Sequence, residues 1–253
     1  MDLRERQGGA PPIRHPWERA RARALERLLS RASLPPGPSL LDVGCGDGWL
    51  LGRLGRHLGA STLVGVDPMM DEPTRASLAS ERPPILVKPS LEDLPDGSFD
   101  LALLLDVVEH VEDDLELLGR ASTKVVPGGL VLLTAPAHQA LFGEHDRQLL
   151  HLRRYSHKSL LGLADRAVLE VLEAGSLFAS LLLPRAASLL VERLGALGAI
   201  HPVRTGVGAW RRGPLFTRTI LVALDLDNRL LSALSRVGLQ MPGLSVFALC
   251  RKL

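Results

Sequence analysis

Two aspartates and three glycines crowd the stretch from Asp42 to Gly48 in LLDVGCGDGW. The loop itself, Gly44-Cys45-Gly46-Asp47-Gly48, follows an apolar run directly. Glycines permit a tight turn and let a ligand approach the backbone closely. Free amides at the start of a following helix would favour a phosphate. The carboxylates of Asp42 and Asp47 would repel one, and they suit an ammonium or sulfonium group instead. The spacing is GxGxG, with Trp49 where the third glycine of a dinucleotide fingerprint would fall, and no Gly-Lys-Ser/Thr ending marks a phosphate loop.

A further acid, Asp67, closes the next apolar run, about 20 residues beyond the loop, where a carboxylate can accept hydrogen bonds from two ribose hydroxyls. The implied ligand is a nucleoside with a cationic, zwitterionic tail and no phosphates. S-adenosylmethionine meets that description. Other chemistry-bearing residues come later, in Glu109-His110, Glu144-His145-Asp146 and His151. His145 or His151 could remove a proton, with Asp146 orienting an imidazole. Arg153, Arg154 and Tyr155 suit an anionic acceptor, or equally a solvated charged turn with the tyrosine on the core. The eight histidines are scattered and show no metal-ligand spacing.

These residues need a scaffold. Ser39–Val43, Ser61–Val66, Pro84–Val87, Phe99–Leu105 and Leu130–Thr134 read as short apolar strands. Helical patterns over Gly48–Leu58 and Glu112–Val126 alternate with them, the second stopping at a Pro-Gly-Gly. Apolar strands separated by helices imply a parallel sheet covered on both faces. In such a doubly wound α/β fold, ligands sit at the carboxyl ends of the strands. Before the first strand, Trp17, Ala20, Ala24, Leu25, Leu28 and Leu29 recur at helical spacing. A helix near Ser159–Arg166, a strand near Val168–Phe178 and a closing strand in LSVFALCRK follow. The expected division is 1–36 for an N-terminal tail (1–14) and helix, 37–178 for the core, 179–243 for a helical insertion and 244–253 for the last strand.

LLDVGCGDGWLL, LVGVD, SLEDLPDGSFDLALLLDVVEHVEDD and VVPGGLVLLTAPA resemble, in order and spacing, the successive motifs of class I S-adenosylmethionine-dependent methyltransferases. HPWERARARAL and LFGEHDRQLLHLRRYSHKSL are similar to a bacterial subgroup within the methyltransferase type 11 relatives. The resemblance implies a Rossmann-like, mostly parallel seven-stranded sheet with the last strand antiparallel. It places Asp42, Gly44, Cys45, Gly46 and Gly48 around the methionine moiety and Asp67 on the ribose. Ser90 and Leu91 fall beside the adenine, where Ser90 departs from the family's usual acid and the backbone of Leu91 could read the ring edge. Asp106, after the fourth strand, would face the methyl-donor side and join His145 and His151 as a candidate catalytic residue. His110 belongs to an EHV element that more often starts a helix than does chemistry. Trp17 is expected either to lie over the cofactor or simply to dock its helix.

The leading function is methyl transfer to a small-molecule or lipid- or glycan-linked acceptor, at oxygen. The alternatives are O-methylation of a quinone precursor and a non-catalytic cofactor-binding regulator. A nicotinamide-dependent dehydrogenase is disfavoured by GxGxG and Asp42. The 253 residues carry 30 Lys plus Arg against 28 Asp plus Glu, a net charge of +2, which argues against nucleic acid as a partner. Cys45 and Cys250 lie in no metal or redox spacing, and the N-terminus reads as no signal peptide, so a reduced cytoplasmic setting is expected. The Leu- and Arg-rich insertion suits a helical cap, a homodimer contact or peripheral contact with the inner membrane.

Overall fold

The computed structural model describes residues 14–196, 210 and 212–253. The first thirteen residues of the expected tail, and residues 197–209 and 211 of the insertion, lie outside the described residues. The elements run α1 (Pro16–Leu29), β1 (Ser39–Val43), α2 (Trp49–Leu58), β2 (Thr62–Val66), α3 (Glu72–Ala79), β3 (Ile85–Lys88), β4 (Phe99–Leu105) and α4 (Asp114–Thr123). There follow β5 (Val125–Pro136), α5 (Glu144–Gln148), α6 (His157–Arg166), β6 (Leu169–Leu177), α7 (Leu182–Ala196), α8 (Pro214–Arg236) and β7 (Ser245–Lys252).

The seven strands form one sheet in the order β3-β2-β1-β4-β5-β7-β6. Strands β1 to β5 pair in parallel, and β7 runs antiparallel to both neighbours, β5 and β6. This is the expected Rossmann-like architecture. Alternate residues of each strand feed opposite faces of the sheet. Leu40, Leu63, Leu101, Leu103, Leu130 and Leu132 join α1, α2 and α8 in one core. Leu41, Val64, Ala102, Leu104, Val131 and Leu133 join α4 and α6 in the other. Because both faces are covered, the central strands β1, β4 and β5 read as near-continuous apolar runs, whereas the edge strand β3 exposes Leu86 and Lys88 on one side.

Several boundaries shift by a residue or two from the sequence expectation, and the junction of α4 with β5 shifts most. The helix expected to 126 ends at Thr123, and β5 begins at Val125, before the Pro-Gly-Gly. Phe99 pairs with Val125, and the register then shifts so that Leu101 pairs with Leu130. Pro127 and Gly128, the glycine at positive φ, form an irregularity inside a strand rather than a helix stop. The α7–α8 insertion splits an antiparallel hairpin whose register runs from Leu169↔Lys252 to Leu177↔Ser245. It is anchored at its base, where the Asn228 side-chain oxygen accepts the Phe178 amide at 3.0 Å and Arg27 of α1 pairs with Asp225 of α8 at 2.6 Å.

Candidate active site

Strands β1, β2, β4 and β5 run parallel, so their carboxyl ends lie along one edge of the sheet, and the glycine loop follows β1 there. Gly44, Gly46 and Gly48 all sit at positive φ. A Cβ on Gly44 would lie 2.7 Å from Val107, so the loop must stay bare where β1 leaves the sheet beside β4. The Gly44 amide donates to the carbonyl of Val66 at 2.7 Å, which ties the loop to β2. Cys45 turns its thiol into the core against Gly65, and burial pushes that thiol's pKa up, so its backbone is the part that lines the loop.

Asp42 is buried within β1, and burial pushes its pKa up to about 7. Asp67 follows β2 and is also buried. One of its oxygens accepts the Gly46 amide and the other the Met69 amide, each at 2.9 Å. A carboxylate has about four acceptor positions, so both oxygens retain acceptor capacity. Asp47 differs from these two: Arg14, just ahead of α1, holds its carboxylate in a short ion pair, and the Arg14 guanidinium also lies 4.8 Å from the Trp49 ring centre. The loop therefore presents one buried acid, Asp42, and one acid already neutralised by the N-terminal segment.

Ser90 caps a short turn over Leu91–Asp93, hydrogen-bonding its own neighbour Glu92, while Leu91 is buried among the core of the second face. Asp106 follows β4 in the left-handed region at φ 59°. Its carboxylate accepts the Thr134 hydroxyl at 2.9 Å and pairs with Arg21 of α1 at 3.0 Å. Arg21 also donates to the Thr134 hydroxyl oxygen at 2.7 Å. Neither Arg14 nor Arg21 is recognisable from the sequence, where Arg14 falls in the expected tail and Arg21 looks like a solvated charge of an amphipathic helix. Trp17 rests 5.8 Å from Phe178, consistent with docking of α1 onto the sheet edge.

The segment after β5 organises around Asp146, which is fully buried. Its oxygens accept the Gly143 amide at 2.9 Å, Arg154 at 2.8 and 3.0 Å and Arg185 of α7 at 3.0 Å. His151 Nδ1 lies 3.1 Å from Asp146 Oδ1. Burial alone would favour the acid form, but these bonds from His151, Arg154 and the Gly143 amide outweigh it and hold the carboxyl well below the usual range. The ionised carboxylate only accepts, so it fixes the proton of His151 on Nδ1 and leaves Nε2 with a lone pair. His145, on α5, is half-buried, and burial lowers its pKa. Of the two sequence-predicted histidines, His151 is the one hydrogen-bonded to Asp146.

Arg153, Arg154 and Tyr155 are each engaged by a carboxylate of the protein. Arg153 pairs with Asp114, Arg154 with Asp146, and the buried Tyr155 hydroxyl donates to Asp114 at 2.7 Å. These partners tie the turn to α4 and α5.

Glu109 has no solvent exposure, and neither carboxylate oxygen has a hydrogen-bond partner among the described residues. Burial, and secondarily the charge of Asp106, raises its pKa well above the ordinary value. One ligand-capable atom from each of Glu109, His110 and His151 lies within 4.8 Å of the others. Sequence spacing concealed this cluster because His151 arrives from beyond β5.

Residues 17–174 match the model of a family described as Methyltransferase domain. Over 128 residues the chain is 35% identical to a ubiquinone biosynthesis O-methyltransferase of Bradyrhizobium sp. (strain ORS 278), an alignment spanning 49% of this chain and 50% of that protein. The chain thus spans about half the length of the curated relatives it matches. Among solved structures, a putative sarcosine dimethylglycine methyltransferase from Galdieria sulphuraria superposes with a TM-score of 0.56 at 18% identity, covering 93% of this chain and 86% of that one. Phosphoethanolamine N-methyltransferase 2 of Haemonchus contortus, solved with S-adenosyl-L-methionine, gives 0.55 at 18% identity, covering 91% and 52%. At such identities the likeness is one of fold.

Proposed function

The chain belongs to the methyltransferase-domain family of class I S-adenosylmethionine-dependent enzymes, and from that premise we propose that it methylates a hydroxyl of a small-molecule or lipid-linked acceptor. One relationship carries the reading: two buried acids, Asp42 and Asp67, stand at the ends of adjacent strands around a turn of three positive-φ glycines. That set fits a cationic nucleoside and disfavours a pyrophosphate. Asp67 would take the ribose hydroxyls, the backbone of Gly44, Cys45, Gly46 and Gly48 would line the methionine moiety, and Asp42 would offset its positive charge. Ser90 and Leu91 would flank the adenine, and Asp106 would stand on the donor side of the cleft. When bound, the cofactor supplies a methyl group on an activated sulfonium.

The protein's own task is then to align an acceptor and receive its proton. His145 and His151 are the proposed bases. Burial favours the neutral imidazole in His145, and Asp146 fixes the tautomer in His151. The relative named for ubiquinone biosynthesis favours a phenolic quinone precursor as a narrower acceptor. No described helix is long and apolar enough to cross a membrane. Leu183 and Leu190 on α7, and Leu215, Val222, Leu226 and Leu230 on α8, are exposed and would suit a lipid surface or a lipid-tailed acceptor.

Calorimetry with S-adenosylmethionine and its demethylated product tests the cofactor reading; absence of binding to both would end it. Methyl-labelled cofactor incubated with cell extract tests the transfer and identifies the acceptor. Label found in no product, with cofactor binding intact, would favour the regulatory alternative.

A further inference from the structure

We infer that Glu109, His110 and His151 form a three-ligand site for a divalent transition-metal ion of the zinc class, at the acceptor side of the cleft. Glu109 supplies the first observation. A carboxylate without solvent or hydrogen-bond partner is costly to bury, and a bound cation is one of the few things that compensates it. The second observation is convergence: the ligand-capable atoms of the three residues already lie within 4.8 Å of one another. The His110 and His151 rings meet edge to face with centroids 4.7 Å apart. Ligands about 2.1 Å from a tetrahedral zinc lie roughly 3.4 Å from each other, so side-chain movements of under about 1 Å close the set.

The fold holds this geometry from both sides. Glu109 and His110 occupy the turn after β4, and the Leu152 amide donates to the Glu109 carbonyl at 2.7 Å, fastening the His151 segment to that turn. Asp146 accepts from His151 Nδ1 and leaves Nε2 as the ligating atom. A carboxylate behind an imidazole is the usual outer support of a metal-bound histidine, and it raises the ligand's basicity. Arg154 and Arg185 keep that carboxylate fixed.

Donor chemistry selects the ion. Magnesium and calcium prefer all-oxygen shells. Two imidazoles and one carboxylate suit zinc and its first-row neighbours, and three protein ligands leave a position open for an exogenous oxygen. For a hydroxyl acceptor, which rests on the methyl-transfer reading above, an ion there would lower the hydroxyl's pKa. His151 would then serve as a ligand, and the released proton would pass to His145 or water. The existence of the site does not depend on that reading.

The test uses the full chain, stripped with a chelator and titrated with Co2+ and Zn2+ without cofactor. One equivalent of Co2+ should bind with the visible absorption of a four- or five-coordinate site, and Zn2+ should displace it. Glu109→Gln and His151→Asn should each weaken binding at least tenfold, and the more accessible His110→Asn should do the same if a core variant fails to fold. His57→Asn, far from the cluster in sequence and bonded to Ser30, should bind like the parent. No stoichiometric binding, or unchanged affinity in folded variants, would overturn the site. Calorimetry with the demethylated cofactor on the same stripped protein reports the cofactor reading separately, so failure of one leaves the other visible.

Discussion

Arg21 of α1 pairs with Asp106, the residue after β4, with 3.0 Å between guanidinium and carboxylate. The N-terminal helix is thereby tied to the strand-end edge of the sheet, although Asp106 lies far along the chain.

Replacing Arg21 by Ala should therefore act on stability and on the cofactor together. It removes charge-assisted bonds to Asp106 and Thr134. A loss of about 2 kcal/mol is expected, or roughly 4–8 °C in Tm for a chain of this size. Thermal unfolding with and without the demethylated cofactor measures both effects. An unchanged Tm would mean the pair is not made in solution.

Asp67→Ala should weaken cofactor binding by at least about 100-fold, since two charge-assisted bonds to ribose are each worth about 1.5–3 kcal/mol. The same substitution strips the acceptor from the Gly46 amide and loosens the loop. Calorimetric affinity within a factor of three of the parent would show that the ribose lies elsewhere.

Asp42 predicts a pH dependence whose sign is fixed by burial. Its pKa in the fold is about 7 against 3.8 for the free group. The native protein therefore holds a proton between those values that the unfolded chain has released, so stability contributed by this group falls as pH rises from about 4 to 7. Cofactor affinity should move oppositely, increasing through pH 7 as the carboxylate ionises to face a cation. Asp42→Asn should flatten both profiles and raise stability at pH 8 by about 1–3 kcal/mol. An affinity profile unaffected by the substitution would remove Asp42 from the cation site.

His151→Ala should leave cofactor affinity near the parent value and lower turnover by about 100-fold or more. Asp146→Ala should be worse for the fold than for the cofactor. It leaves the buried Arg154 without its carboxylate and Arg185 with only Glu192, at a cost of about 3–5 kcal/mol. Turnover in His151→Ala equal to the parent, measured with the acceptor found by methyl labelling, would leave His145 as the remaining base.

The exposed leucines of α8 predict co-sedimentation with anionic vesicles at low salt. Leu226→Glu together with Leu230→Glu should abolish it, because a charge on the apolar face cannot be buried at the interface. A parent protein that stays wholly in the supernatant would count against lipid contact.

The sequence by itself determined the sheet and the glycine turn that follows its first strand. Strands buried on both faces must be apolar throughout, and a loop that needs positive φ at Gly44 and Gly48 must use glycine, so both features are written locally. Asp67 was legible for the same reason, as the acid that ends the second run. The strand at Val125 was not, because a Pro-Gly-Gly reads as a stop whether it ends a helix or interrupts a strand with a register shift. Only the tertiary structure decided which charges are spent on the fold and which face the cleft. Arg154 and Arg185 reach Asp146 from 8 and 39 residues away, Arg14 neutralises Asp47 across 33, and Glu109 meets His151 from the far side of β5. Such pairings have no periodicity to betray them. They are set by which strand ends the topology brings side by side, and by the cost of leaving a buried charge without a partner.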